Sequence, residues 1–289
     1  MPAAQEPRST WFQRFLLPGF AFKAVVIGGG YATGRELAEF FLPGGPWGGL
    51  LGMILAMLIW SLVCAVTFTF ARAVDGYDYR TFFKALLGPF WIVFELAYFL
   101  FVVLILAVFS AAAGAIGAST LGLPPIAGTL FLAVAIALVT TFGNASVEGL
   151  FKYMSIFLYT VYALFILREL RLPAFHYLFQ LMIFAALLES GVGAVHAINE
   201  RVATVWQHQR GLELSYRARA GIAVLLLVGC IFIADRIGLV DLIGSGYRYL
   251  AYVILAVYIV PLLTIGVRML VLGSRRRAAV AQDSSPASL

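Results

Sequence analysis

The sequence predicts an all-α polytopic membrane protein with about eight transmembrane helices. Of its 289 residues, 62% are hydrophobic and only 12% are charged, whereas a typical soluble domain has about 25% charged residues. Eight segments are long and apolar enough to span a bilayer, and none alternates in the manner of a barrel strand. This composition excludes a soluble enzyme, a disordered chain and a disulfide-rich secreted domain.

Each predicted span is a run of roughly 20 mostly apolar residues, with polar residues, glycine or proline at its ends. In chain order the spans are 15–41, 47–74, 90–117, 124–142, 149–167, 173–205, 219–234 and 247–272. Helices are expected because backbone groups that face lipid must form hydrogen bonds within their own segment. We therefore expect one transmembrane domain over 15–272, a cytoplasmic segment at 1–14 and a disordered cytoplasmic tail at 273–289.

Basic residues are distributed unevenly between the two sides of the predicted bundle. With the N-terminus in the cytoplasm, fourteen of the 20 Lys and Arg residues fall in cytoplasmic segments and four in outer loops. Cytoplasmic loops of membrane proteins carry an excess of Lys and Arg. We therefore expect both termini on the cytoplasmic side of a bacterial inner membrane. The four outer residues are Arg168, Arg171, Arg236 and Arg248.

The first span contains a run of glycines, and the residues beside them are candidate solute contacts. Each glycine costs about 1 kcal/mol of helix propensity relative to alanine, so three in succession favour an unwound segment. In secondary transporters, unwound backbone at membrane depth lines the substrate and ion sites. Close helix packing at the glycines is the alternative. The candidate substrate-binding residues are Gly28, Gly29, Gly30, Tyr31 and Thr33.

Three charged residues, Arg35, Glu36 and Glu39, follow the glycine run. A charge at the bilayer centre costs roughly 2.5–3.5 kcal/mol, so these side chains must face one another, a polar cavity or the membrane surface. Arg35 and Glu39 are four residues apart and can pair on one helix face. We predict that the three residues form a gate. An ordinary salt bridge near the outer interface is the alternative.

A second polar cluster lies in the sixth span. Glu189, Gly193, His196 and Glu200 are separated by four, three and four residues, so they share one helix face. Glu189 and Ser190 lie deepest and are the candidates for cation or proton coupling. A structural role is the alternative for the residues nearer the cytoplasmic end. That secondary cluster comprises His196, Asn199 and Glu200.

The sequence contains no set of residues that indicates an enzyme. His196 and Glu200 have the spacing of a metal pair, but two ligands do not make a metal site. We find no Ser/His/Asp set, no paired catalytic carboxylates and no phosphate-binding loop. We therefore expect no enzymatic activity and no cofactor or metal, with Na⁺ or H⁺ as the coupling ion. The expected partners are a small-molecule solute and the lipid bilayer, without nucleic acid, and a homo-oligomer is compatible with the sequence.

Three stretches of the sequence resemble the YkvI-type bacterial membrane proteins. They are 28–41 with the following Gly44–Gly48, 184–201 and 238–247. The resemblance extends from about Phe15 to Leu272. It implies a distant member of the amino acid–polyamine–organocation superfamily, with a LeuT-like inverted-repeat bundle and a discontinuous first helix. It also implies that Glu189 and Ser190 lie on the helix that contributes to a cation site in sodium-coupled relatives.

The chain departs from that fold by lacking the equivalents of helices six and seven. After the fifth span, Leu167–Pro173 leads directly into the segment that resembles helix eight. A naturally shortened relative, a deletion product and a sequence error are the alternatives. We therefore expect a cation-coupled secondary transporter of a small polar solute such as an amino acid, active or in a shortened, non-functional form. The alternative is a non-transporting membrane receptor or assembly subunit on a transporter-like scaffold.

Overall fold

The computed structural model describes residues 11, 15–26, 34–166, 173–237 and 239–273. All regular elements in these ranges are helical, and none of them is a strand. The predicted all-α class is therefore confirmed for this part of the chain. The helices are α1 (Leu17–Val26), α2 (Arg35–Phe40), α3 (Gly45–Ala73), α4 (Tyr79–Leu87), α5 (Trp91–Leu121), α6 (Pro125–Thr141), α7 (Asn144–Ile166), α8 (Pro173–Arg210), α9 (Tyr216–Ile237) and α10 (Leu242–Gly273).

Within the described ranges, five helical segments are long and apolar enough to cross a membrane. They are Glu36–Ala73, Tyr79–Leu121, His176–Arg210, Tyr216–Ile237 and Leu242–Gly273. These segments correspond to the second, third, sixth, seventh and eighth predicted spans. The fourth corresponds to α6, which is apolar but has only 17 residues. The prediction of a membrane-type helical bundle is supported at this coarser level, and the LeuT-like arrangement stays a prediction.

The boundary between the first two predicted spans differs from the expectation. Residues 36–41, which were expected to end the first span, continue through the 3₁₀ turn Leu42–Gly44 into α3. Pro43 and Pro46 lie in the first turns of the 3₁₀ helix and of α3, respectively. Proline is tolerated there because the first backbone N–H groups of a helix have no partner within it. The two prolines therefore redirect the chain without separating two spans.

Helix α4 is an amphipathic helix in the segment between the second and third predicted spans, where no helix was predicted. Its N-cap is Asp78, whose carboxylate accepts hydrogen bonds from the backbone N–H groups of Arg80 and Thr81. Partial burial acts to raise the pKa of Asp78, but the hydrogen bonds from Thr81 and Arg80 together outweigh it, so the pKa lies below its ordinary value. The buried face consists of Phe82, Phe83 and Leu86.

The chain divides into two units, of which the first comprises residues 1–37 and 102–244. In this unit α1 packs against α7 and α8, and α6 packs against α8 and α9. One apolar core cluster of this unit lies between α7 and α8. Its buried residues are Leu158, Val161, Met182, Ile183, Ala185 and Ala186.

Helices α5 and α6 approach each other closely within the first unit. A Cβ atom added at Gly128 of α6 would overlap the backbone carbonyl oxygen of Ala113 on α5. Beside this contact, the hydroxyl of Thr129 donates a hydrogen bond to the carbonyl oxygen of Ser110 at 2.8 Å. Small residues allow helix backbones to meet in this way, especially in membrane bundles. Glycine is therefore required at position 128 by packing.

The second unit comprises residues 38–101 and 245–289. Its core is largely aromatic and consists of Phe70, Phe82, Phe83, Leu86, Phe94 and Leu262. Thr67 and Tyr258 join α3 to α10 through their hydroxyl groups, which lie 2.6 Å apart. In contrast, only 6% of the most apolar part of the Glu36–Ala73 segment is buried within the protein. An apolar surface of this extent is typical of contact with lipid or with another protein.

Candidate functional site

The candidate site is centred on Lys23, which is the single ionisable residue of α1. Its side chain is 9% exposed, because α1 packs against both α7 and α8. The ammonium nitrogen lies 2.8 Å from Oε2 of Glu189 on α8. A buried ammonium needs a counter-ion, since an unpaired charge is very costly away from water. Lys23 and Glu189 therefore form a buried ion pair.

Glu189 lies at the meeting point of three helices. Its side chain is fully buried, and the adjacent Ser190 is 3% exposed. Ser155 of α7 donates a hydrogen bond to the other carboxylate oxygen, Oε1, at 3.0 Å. Each oxygen of Glu189 thus accepts a hydrogen bond, one from α1 and one from α7. The structure therefore places the predicted coupling residue Glu189 in direct contact with the first helix.

An aromatic side chain of α7 lies beside the Lys23 ammonium. Tyr159, one turn after Ser155, has its ring centroid 5.6 Å from Nζ of Lys23, which is within the range of a cation–π contact. Phe20 lies one turn before Lys23 on α1, and its ring is 6.2 Å from that of Tyr159.

The energetics of such a pair indicate a role beyond stability. The cost of removing two charges from water often exceeds their mutual attraction, so a buried ion pair is frequently less stable than an apolar pair of similar size. Lys23 nevertheless lies in an otherwise apolar helix, with LPGFAFKAVV as the whole of α1, and Glu189 is fully buried in α8. Ionisable residues in this setting are functional candidates by default.

Neither Lys23 nor Ser155 was among the site residues predicted from the sequence. The sequence could have predicted the partner of Lys23. A single lysine in an apolar helix needs a carboxylate partner, and Glu189 is the acidic residue nearest the middle of the sixth span. No comparable signal marked Ser155, since serine in an apolar helix usually bonds to the carbonyl oxygen one turn earlier. Its role depends on how α7 and α8 face each other.

The predicted secondary cluster lies near the C-terminal end of α8. Arg219 of α9, which the sequence analysis did not select, donates a hydrogen bond to Oε1 of Glu200. Nδ1 of His196 lies 4.0 Å from the same oxygen. Asn199 is fully buried, and neither polar atom of its amide has a hydrogen-bond partner within the described ranges. In the same ranges no three His, Cys, Asp or Glu side chains form a potential metal site.

The predicted gate is described in part. Glu39 lies 3.7 Å from Arg248 of α10, in an ion pair whose side chains are 28% and 56% exposed, respectively. Glu36 lies in α2 and is partly buried. The side chain of Arg35 is outside the description, so its pairing with Glu39 stays a prediction. The predicted solute contacts Gly28, Gly29, Gly30, Tyr31 and Thr33 also lie outside the described residues.

No protein family, curated protein or solved structure matches the chain. The function must therefore be inferred from the site itself, because a fold class alone does not determine function.

Proposed function

We propose that the chain is a cation-coupled secondary transporter of a small polar solute, such as an amino acid, in the bacterial cytoplasmic membrane. The observation that carries the proposal is the buried contact between Lys23 of α1 and Glu189 of α8. Ionisable residues inside membrane segments are costly, and they mark ion and substrate pathways. Lys23 also precedes the glycine run by five residues, which connects the ion pair to the predicted solute site.

A membrane location is supported by the surfaces of the helices. Five helical segments in the described ranges are long and apolar enough to cross a bilayer. Large apolar side chains such as Trp47, Leu51 and Leu55 of α3 are more than half exposed. Such a surface would drive aggregation in water, whereas it fits a hydrocarbon environment.

The contact offers a direct route from cation binding to helix movement. Lys23 and Ser155 both bond to Glu189, so the carboxylate joins α1 and α7 to α8. A change in the charge of Lys23 or Glu189 would weaken or strengthen the contact between α1 and α8. Because α1 leads into the glycine run, the same change would alter the predicted solute site. Coupling between two sites requires a shared element of this kind.

The proposal is tested by uptake into proteoliposomes. Purified protein would be reconstituted and supplied with a mixture of radiolabelled amino acids, under an imposed inward gradient of either H⁺ or Na⁺. We expect accumulation of at least one amino acid above its external concentration by the wild-type protein. Glu189→Gln should remove this accumulation, whereas Glu213→Gln, the same substitution at an exposed loop residue, should not.

Two results would contradict the proposal. One is the absence of accumulation by correctly folded wild-type protein under both gradients. If the same protein binds amino acids without flux, the receptor alternative is favoured instead. The other is equal accumulation by the wild-type protein and Glu189→Gln, which would show that the buried pair has no part in coupling.

A further inference from the structure

The Lys23 ammonium fills the position beside Oε2 of Glu189, where a cation bound to this carboxylate would make its contact. Its nitrogen is 2.8 Å from Oε2 of Glu189, and the hydroxyl of Ser155 donates to Oε1 at 3.0 Å. Both oxygens of the carboxylate are therefore in contact with hydrogen-bond donors. Na⁺ requires oxygen ligands, and here its charge would be beside an ammonium group in a poorly screened environment. The geometry disfavours a sodium site at Glu189.

We propose that the coupling ion is a proton, carried by the Lys23–Glu189 pair and exchanged with water at the C-terminal end of α8 through His196. This inference rests on the proposed function, since it identifies the cation in that transport cycle. In this inference the Lys23 ammonium takes the place of a bound metal cation at Glu189. It also assigns a relay function to His196.

The proton step is balanced by the ion pair, His196 and water. A proton moves from Nζ of Lys23 to Oε2 of Glu189, which converts the ammonium and carboxylate into an amine and a carboxylic acid. The acid then passes its proton through bridging water to the imidazole of His196. This leaves the carboxylate, the amine and an imidazolium, which releases the proton to water at the C-terminal end of α8. Protonation of the amine from the opposite side of the membrane restores the ammonium and completes one proton movement.

His196 lies on the same face of α8 as Glu189, seven residues towards the end that the sequence places in the cytoplasm. At 1.5 Å per residue, their Cα atoms are about 10 Å apart along the helix, so water must bridge the side chains. Gly193 is between them on this face and has no side chain to occupy that space. Nδ1 of His196 has no hydrogen-bond partner in the described part of the chain.

Asn199 provides independent support for water near this face. Its side chain is fully buried, and its amide nitrogen and oxygen both lack hydrogen-bond partners among the described residues. Buried polar groups of this kind are usually bonded to ordered water. Imidazole is suited to proton relay because its ordinary pKa is close to neutrality.

The charged and titratable groups around this route come from four helices. Glu200 lies on α8 itself, Arg219 comes from α9 and Glu148 from α7, and all three act on His196. At the other end, Lys23 of α1 contacts Glu189, and Tyr159 of α7 lies beside Lys23. Helix α6, which also packs against α8, contains no titratable residue. The Glu200–Arg219 pair forms the aqueous end of the route.

The test measures proton movement in sodium-free proteoliposomes that contain a pH-sensitive dye. A mixture of the twenty common amino acids is added outside, and we expect the lumen to become more acidic as solute enters. Addition of Na⁺ should not change this rate. His196→Gln should slow acidification several-fold and change the shape of its pH profile. His176→Gln, at an exposed position of the same helix, should behave as the wild-type protein does.

The possible failures are distinguishable. Uptake that requires Na⁺ and moves no protons would overturn the inference and leave the proposed transport function standing. Uptake under neither gradient would overturn both. If folded His196→Gln has the wild-type rate and pH profile, then His196 is not the relay. The wild-type measurement decides the identity of the ion even if the variant does not fold.

Discussion

The ammonium nitrogen of Lys23 lies 2.8 Å from Oε2 of Glu189, and the two side chains are 9% and 0% exposed, respectively. This contact joins α1 to α8 across 166 residues of sequence. At this contact α1, which precedes the glycine run, meets α8, which carries Glu189, Ser190 and the secondary cluster.

Removal of one partner of the pair should destabilise the protein strongly. Lys23→Met or Glu189→Met leaves one buried charge without its partner, and breaking a buried pair in this way costs roughly 3–5 kcal/mol. The double variant should recover most of this loss, because both charges are then absent. Thermal unfolding in detergent measures the effect, with Glu213→Met as an exposed control. Additive losses in the double variant would be inconsistent with a direct pair.

Ser155 should contribute to stability through its hydrogen bond to Oε1 of Glu189. Ser155→Ala removes a donor to a buried carboxylate, and we expect a loss of about 1–3 kcal/mol in the free energy of unfolding. Thr160→Ala is the matched control, because that exposed hydroxyl on α7 donates to the carbonyl of Ile156 in its own helix. Its effect should be within about 0.5 kcal/mol. Equal effects of the two variants would argue against the contact.

Gly128 should not tolerate even one additional methyl group. In Gly128→Ala the new Cβ atom meets the carbonyl oxygen of Ala113, so α5 and α6 must separate. Forced overpacking typically costs about 1–3 kcal/mol. Gly229→Ala on α9 has no atom within 4 Å of the added carbon and should be neutral or stabilising, because alanine favours helix. The melting temperatures of the two variants measure the difference. An unchanged melting temperature of Gly128→Ala would contradict the close approach of α5 and α6.

Asp78 should stabilise α4 in a pH-dependent manner. Asp78→Ala removes the N-cap and should cost about 1 kcal/mol at neutral pH, whereas Asp78→Asn retains an acceptor and should cost little. The pKa of Asp78 is lowered in the folded protein, so its contribution is present above the ordinary pKa. That contribution is lost as the pH falls through the folded-state pKa. Unfolding curves at several pH values should show a weaker acid dependence for Asp78→Asn over this range.

The helical class and many of the helices could be predicted from the apolar runs, because each long run must satisfy its backbone hydrogen bonds locally. The junction between α2 and α3 could not be predicted, because Pro43 and Pro46 are compatible either with two separate helical spans or with one continuous span. Helix α4 was missed because its amphipathic pattern adjoins the apolar start of α5. Its cap, Asp78, was the available local signal.

The candidate site could likewise be predicted only where the sequence near a residue was sufficient. Glu189 could be selected because a carboxylate in an apolar helix is costly wherever the helix packs. The identity of its partners depends on which faces of α1 and α7 meet α8, and spacing within one helix does not contain that information. The same applies to Arg219, which bonds to Glu200 from a different helix.

The most direct test of the coupling role of the pair compares accumulation with exchange in the double variant Lys23→Met/Glu189→Met. Proteoliposomes would be assayed for amino acid accumulation under H⁺ and Na⁺ gradients and for exchange of labelled against unlabelled amino acid without a gradient. We predict that the double variant folds and exchanges solute but does not accumulate it. Accumulation at the wild-type level would contradict the assignment of Lys23 and Glu189 as the coupling site.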